Sequence, residues 1–466
     1  PQYGLVFDAG STHTALYIYQ WPADKENGTG IVSQVEACAV SGPGISSYAD
    51  DPAGAGASLK PCLDKAMKII PAEQQWQTPT YLGATAGMRL LREQNSSKAE
   101  RVFAEVAKAI GEYPVDFRGA RILTGNEEGS FGWITVNYLL ETLVKVRPGE
   151  RSEGERTHPP AEDVVGALDL GGASTQITFL PGTTMEDSST RAFLRLYGTN
   201  YSIYTHSYLC YGQKQVLKRL IASLHQGSPP AQQISHPCYP KGYRENITTA
   251  DLYASPCVRA PSTASPAQVL AVTGTGDPAA CSAAIQKLFN FTCGDNRTCG
   301  FNGVYQPPVR GQFYAISGLY HNLHLLNLTG GQSLSTVNAT IWKLCTSSWE
   351  EVQKEFPTRN RTLLRDACAA SAYTLTLLLQ GYGFTRDTWL HVHFVQQVAD
   401  IDVGWTLGYM LNLTNMIPSE TPQKVIGLQG GKWIAASVLL TIMLILIFCL
   451  LTVICCQKKS SGYESL

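Results

Sequence analysis

The chain has 466 residues, of which 44% are hydrophobic and 16% charged, and its formal net charge is −1. Such a length holds two ordinary cores rather than one. The apolar share excludes a disordered chain, and the lack of a basic excess excludes nucleic acid as a partner.

In chain order, residues 3–8 predict a strand ending in a glycine turn, and the apolar, β-branched residues 13–21 predict a second. A helix is expected over 59–70, a strand over 79–84, a helix over 97–111, a strand over 121–123 and a helix over 133–144. Strands alternating with helices argue for an α/β lobe. Residues 149–163 hold seven Glu, Asp or Arg residues and almost nothing apolar, so they read as an exposed loop. Residues 164–169 open a second apolar strand with its own glycine turn. Residues 210–299, rich in Pro, Ser, Thr and Cys, read as a disulfide-stapled insertion with a helix over 213–224. Further helices are expected over 313–328 and 363–379, and a polar stalk over 419–432.

Residues 433–456 carry no charge. Twenty-four helical residues at ~1.5 Å each cross a bilayer core of ~30 Å, and Lys458 and Lys459 then put the tail, 457–466, in the cytoplasm. A buried core helix is the alternative, although core helices seldom run so long without a polar face. The rest of the chain would lie outside the cell or in a lumen. Ten of its fifteen Asn residues stand in Asn-x-Ser/Thr sequons: Asn27, Asn95, Asn200, Asn246, Asn290, Asn296, Asn327, Asn338, Asn360 and Asn412. Ten cysteines precede the apolar segment, an even number that fits five disulfides in an oxidising compartment. Zinc is the rival reading, but there is no Cys-x2-Cys pair among them.

The most informative feature is an internal repeat. Asp8-Ala9-Gly10-Ser11-Thr12-His13-Thr14 and Asp169-Leu170-Gly171-Gly172-Ala173-Ser174-Thr175-Gln176 each follow an apolar strand and lead into another, and their Asp residues lie 161 positions apart. Glycine lets a bulky anion approach the backbone. Successive N–H groups of the turn make a nest for phosphate oxygens, and an Asp at the strand end can hold a divalent cation directly or through water. Two such loops facing each other would grip a polyphosphate from both sides. Two unrelated hairpin turns are the plainer alternative. The repeat resembles the actin-like ATPase superfamily of sugar kinases and heat-shock ATPases, which implies two related α/β lobes with nucleotide in the cleft.

Residues 83–91 and 125–140 are strand ends or turns entering helices. Adjacent Glu127 and Glu128 would by themselves only satisfy a helix dipole. Together with residues 8–14, 169–176 and 402–412, however, these stretches resemble the five apyrase conserved regions of the ecto-nucleoside triphosphate diphosphohydrolases. Residues 42–48 and 335–342 are most similar to the cell-surface, liver-associated branch. The resemblance implies Glu128 as general base, with Ser174 and Gln176 holding the attacking water. It implies Ser11, Thr12, His13, Gly171, Gly172 and Ala173 as phosphate-binding residues. Asp8 and Asp169, with Thr85 and Glu128, would position Ca²⁺ or Mg²⁺ mostly through water. Tyr320 and His321 would lie against the nucleobase. The implied disulfides are Cys38–Cys62, Cys210–Cys257, Cys238–Cys281, Cys293–Cys299 and Cys345–Cys368.

The expectation is thus a plasma-membrane enzyme with an extracellular catalytic part. Residues 1–124, with 398–418 returning, form one lobe and 125–397 the other. Its substrates would be ATP, ADP, UTP and UDP. A homo-oligomer stays open. A phosphotransferase of the same fold and a catalytically silent receptor ectodomain are the rival readings, and Ser174 as a covalent nucleophile is the rival mechanism.

Overall fold

The structure, a computed structural model, describes residues 2–22, 28–145, 159–183, 185, 187–226, 232–261, 268–294, 298–416 and 430–460. The chain forms two units, residues 1–418 and 419–466.

The first unit opens with the antiparallel strands β1 (Gln2–Ala9), β2 (Thr14–Trp21) and β3 (Ser33–Ala39). Strands β4 (Pro79–Ala84) and β5 (Asp116–Ile122) then join β1 in parallel, giving the order β3-β2-β1-β4-β5. Leu5, Val6 and Phe7 are wholly buried because β1 is central and covered on both faces. The intervening helices are α1 (Pro52–Ile69), the short α2 (Ala72–Gln75), α3 (Ala86–Gln94) and α4 (Ser96–Gly111). The next helix, α5 (Gly125–Leu139), is buried along most of its length.

A second sheet repeats the first. Strands β6 (Gly166–Leu170), β7 (Ser174–Phe179), β8 (Arg191–Leu196) and β9 (Thr199–Leu209) are antiparallel. After α6 (Gln213–Gln226), an inserted sheet of β10 (Gln233–His236), β11 (Arg244–Thr248) and β12 (Val269–Gly274) carries α7 (Thr249–Tyr253) and α8 (Pro278–Gln286). Then β13 (Phe313–Ser317) and β14 (Val392–Phe394) join β6 in parallel. The order β14-β13-β6-β7-β9-β8 is that of the first sheet with β8 added at one edge. The hairpins match as well. Asp8 pairs with Ala15 and Asp169 with Gln176, each a partner seven positions further on (15 − 8 and 176 − 169). This duplicated antiparallel-then-parallel sheet is the mixed α/β, actin-like architecture.

Between β13 and β14 run α9 (Gly318–His324), α10 (Leu334–Thr346), α11 (Trp349–Glu355) and α12 (Arg361–Thr376). After a two-stranded ribbon of β15 (Gln397–Val398) and β16 (Ile401–Asp402), α13 (Trp405–Met416) returns against α5. The two helices cross closely because Gly408 has no side chain to strike the Phe131 carbonyl, and its N–H bonds Thr135 Oγ1 at 2.8 Å. One apolar cluster holds α5, α13 and β9 together with Val6 and Tyr19 of the first sheet, so α13 braces the two sheets on each other. The ten cysteines of this unit form the disulfides Cys38–Cys62, Cys210–Cys257, Cys238–Cys281, Cys293–Cys299 and Cys345–Cys368.

Three elements depart from the sequence reading. Residues 313–317 are a parallel strand, not the start of a helix; only Gly318 onward is helical. Their aromatic and β-branched side chains fill the slot beside β6, where Ile316 pairs with Asp169. Helix α1 begins at Pro52 because the Asp51 side chain accepts from Gly54 N and proline occupies the first turn. Helix α5 starts at residue 125 rather than 133, because Thr124 and Glu127 close a reciprocal capping box.

The second unit is the helix α14 (Gly430–Ser460), whose stretch Ser437–Ile454 has a mean hydropathy of 3.0 and exposed apolar side chains, long and apolar enough to cross a membrane. Residues 419–429 of the stalk and the last tail residues lie outside the described residues, as do most of the charged loop and the sequons at Asn27 and Asn296, while residues 430–432, read as stalk, belong to α14.

Candidate active site

The two hairpin loops meet. A Cβ placed on Gly172 would lie 2.6 Å from Ser11 Oγ and 2.7 Å from Thr12 Cγ2, so the second loop touches the first through a residue with no side chain. Beneath the first loop, a Cβ on Gly87 of α3 would lie 2.8 Å from Ser11 Cα. The second loop is pinned to the start of α6 by Gln213 N→Gly171 O at 2.9 Å and Gln215 N→Gly172 O at 3.2 Å. Thr12 and His13 are exposed at the first loop's tip, their side chains 3.1 Å apart.

Gly172→Ala therefore crowds the place where the loops touch. Ser11 Oγ and Thr12 Cγ2 must turn away to admit the methyl, so the fold survives and the cost falls on the placement of those phosphate-facing side chains. The expected result is a fall in kcat/KM of about 10-fold or more with little change in melting temperature, checked by steady-state kinetics and thermal melting.

Glu128 stands in the first turn of α5 and is buried, with 8% exposure. Arg89 of α3 forms an ion pair with it and also reaches Ser174 Oγ at 3.5 Å. Gln176 Nε2 donates to Ser174 Oγ at 2.8 Å and to Ser207 Oγ at 2.9 Å, which fixes both hydroxyls, and Arg89 links the first of them to Glu128. Burial, followed by the negative charges of Asp169 and Asp8, pushes the Glu128 carboxyl up to about 8 despite Arg89.

Asp8 closes β1 and Asp169 lies in β6. Burial and the charge of Asp169 push Asp8 up to about 7, although the Trp405 indole draws it down. Asp169 is raised by burial and drawn down by Ser317. Ser317 itself, at φ 56°, carries backbone strain at the mouth of the site. Asp8 Oδ1 and Asp169 Oδ1 are buried with no hydrogen-bond partner among the described residues. Two orphaned carboxylate oxygens whose charges repel suit a hard divalent cation. No three His, Cys, Asp or Glu side chains among the described residues converge as direct ligands. Thr85 is buried at the end of β4, its N–H bonded to Ala9 O at 3.1 Å.

Tyr320 and His321 lie on α9. Tyr320 is half-buried and its ring stacks on His324 at 4.8 Å, while His321 is exposed. Partial desolvation of its ring, followed by the charges of His324 and His13, holds His321 below the usual histidine range although the residue as a whole is exposed. Sequence reasoning missed Arg89 and Trp405. Arg89 had a signal, a lone cation in an otherwise apolar motif. Trp405 had none, because its indole packs over Gly83, beside Asp8, only through the return of α13.

Residues 1–426 match the GDA1/CD39 (nucleoside phosphatase) family. The chain is 68% identical to ectonucleoside triphosphate diphosphohydrolase 8 of Gallus gallus, over 93% of this chain and 87% of that one. It is 54% identical to the Homo sapiens protein of that name, over 95% of this chain and 89% of the other. It is 43% identical to ectonucleoside triphosphate diphosphohydrolase 2 of Mus musculus, over 99% and 92% respectively. Its fold is similar to that of a nucleoside triphosphate hydrolase from Neospora caninum, with a TM-score of 0.62 at 16% identity, over 89% of this chain and 92% of that one.

Proposed function

The chain belongs to the GDA1/CD39 nucleoside phosphatase family, and from that premise we propose how its residues carry out the extracellular hydrolysis of nucleoside tri- and diphosphates to monophosphate and phosphate. The observation that carries the proposal is the buried Glu128 beside Ser174 and Gln176, electrostatically coupled to Asp8 and Asp169 behind two touching glycine loops.

In this reading Ser11, Thr12, His13, Gly171, Gly172 and Ala173 hold the phosphates, mainly through backbone N–H groups. Asp8 and Asp169, with Thr85 and Glu128, hold Ca²⁺ or Mg²⁺ mostly through its waters. When bound, the cation neutralises phosphate oxygens and the leaving group. Ser174 and Gln176 orient the attacking water, and Glu128 takes its proton as the water adds to the terminal phosphorus. Arg89 keeps the Glu128 carboxylate aimed and draws its proton affinity down. In this reading water rather than Ser174 is the nucleophile, because Gln176 and Arg89 both donate to the Ser174 oxygen and occupy the lone pairs it would attack with. Tyr320 and His321 present rings to any base, which supports adenine and uracil nucleotides alike.

Helix α14 anchors the enzyme in the plasma membrane with the tail in the cytoplasm. The catalytic part divides into residues 1–124 with 398–418, and 125–397. The test is a time course of phosphate, ADP and AMP release from ATP, with Ca²⁺, with Mg²⁺ and with chelator. The expected result is cation-dependent release of phosphate with no phosphorylated acceptor. Cation-independent turnover, or transfer to an added sugar, would refute it.

A further inference from the structure

On the face of the second lobe formed by α8, α10 and α12 lies an open cavity of about 140 Å³ with a mixed lining, in which Ser282, Thr376 and Gln380 stand among apolar side chains, and it is used by nothing in the mechanism. Pro278, Ile341, Trp342, Leu375 and Leu379 line it, and Asn338 stands at its edge. Trp342 is 46% exposed, a large indole face that the fold leaves uncovered. Asn338 is exposed and heads the sequon Asn338-Ala339-Thr340.

Asn338 and Trp342 are four residues apart on one helix, so they share a face with Cβ atoms about 5–6 Å apart. A helical side chain covers the surface on the N-terminal side of its own Cα, so the indole leans toward Asn338 rather than away from it. We propose that Asn338 carries an N-linked glycan whose first N-acetylglucosamine packs on Trp342 and fills this cavity. The proposal rests on the exoplasmic placement of the first unit and goes beyond it by assigning one sequon a structural role.

The size and chemistry fit. An enclosed cavity of about 150 Å³ takes a benzene ring, so this open one of about 140 Å³ has room for an acetamido group and one face of a pyranose, whose polar atoms its Ser282, Thr376 and Gln380 can meet. A pyranose presents C–H groups on one face, and these complement the electron-rich face of an indole. The modification itself balances. Asn338 Nδ2 forms a bond to C1 of the sugar of a lipid-pyrophosphate-linked oligosaccharide, the C1–O bond to pyrophosphate breaks, the amide gives up one proton and the lipid pyrophosphate leaves. A glycan rooted at the rim also denies the groove to a protein partner, so the sugar and not a second chain is the occupant.

The test uses the full chain made in glycosylating animal cells. Enzymatic release of glycans in ¹⁸O-water, read by peptide mass spectrometry, is expected to find Asn338 almost fully modified. An unmodified Asn338 in a chain whose exposed Asn200 and Asn360 are modified overturns the proposal. A chain unmodified at every sequon overturns both it and the exoplasmic placement. Thr340→Ala, which keeps Asn338 but destroys the sequon, and Trp342→Ala should each lower the melting temperature by about 2–4 °C. The double variant should lose no more than either single one, because both remove the same contact. Additive shifts, a neutral Thr340→Ala, or a change of oligomeric state in Trp342→Ala would each overturn the packing role.

Discussion

Glu128→Gln is expected to lower kcat by about 10²–10⁴-fold at saturating substrate and cation, with KM changed little. The amide keeps the shape of the side chain and its contact with Arg89, so the nest, the two aspartates and the water-holding pair Ser174–Gln176 stay in place. Only the capacity to accept a proton is lost. The melting temperature should change by no more than a few degrees, since the burial that pushes the carboxyl up to about 8 already opposes its charge and offsets part of what the Arg89 pair contributes. With a cation between Asp8 and Asp169, their repulsion of Glu128 is relieved and its proton is held less tightly. The kcat profile should therefore rise with pH through an apparent pKa below 8, and the Gln variant should lack that limb. Phosphate release and thermal melting check both halves. A variant that keeps substantial turnover removes Glu128 from the chemistry, and one that fails to melt cooperatively leaves kcat uninterpretable until Glu128→Asp is measured beside it.

What the sequence disclosed follows the range over which each signal acts. The strand–Asp-x-Gly–strand repeat was legible because strand propensity, turn chemistry and hydroxyl placement all lie within some ten residues, and the structure gives both copies one register. The capping box that starts α5 was equally local, but it was hidden by glycines read as a turn. Gly125 is there because a side chain would strike Ser207, a contact made only once β9 is in place. Strand β13 was misread because its five residues run straight into a helix, and nothing in Phe313-Tyr314-Ala315-Ile316-Ser317 says that a slot beside β6 awaits them. Arg89 and Glu128 lie 39 positions apart, and Trp405 reaches Asp8 from the far end of the unit. Such pairings are properties of the packed molecule.

Asp8→Asn should have opposite consequences with and without cation. Without it, Asp8 is a buried carboxylate whose Oδ1 has no partner among the described residues and whose proton affinity is raised from 3.8 to about 7 by burial and Asp169. A carboxyl raised in the folded state binds more protons folded than unfolded between those values. The cation-free wild type should accordingly lose stability as pH climbs from about 4 to about 7, by at most a few kcal/mol at ~1.4 kcal/mol per unit. Asparagine carries no charge to desolvate, so in chelator at pH 8 the variant should melt at or above the wild type. Cation reverses the order. Ca²⁺ or Mg²⁺ binds the folded wild type and raises its melting temperature in proportion to the logarithm of concentration over Kd; removing one of two anchoring carboxylates weakens that rise, and hydrolysis should fall by about 10²-fold or more as phosphate charge loses its counterweight. Asp169→Asn should behave alike, since its own Oδ1 is buried without a partner among the described residues and burial likewise raises its carboxyl. Melting curves from pH 5 to 8 in chelator and in each cation, taken with initial rates, decide the matter. A variant destabilised in chelator would mean that Asp8 is held by protein contacts and serves the fold, and an undiminished cation-induced rise would place the ion elsewhere.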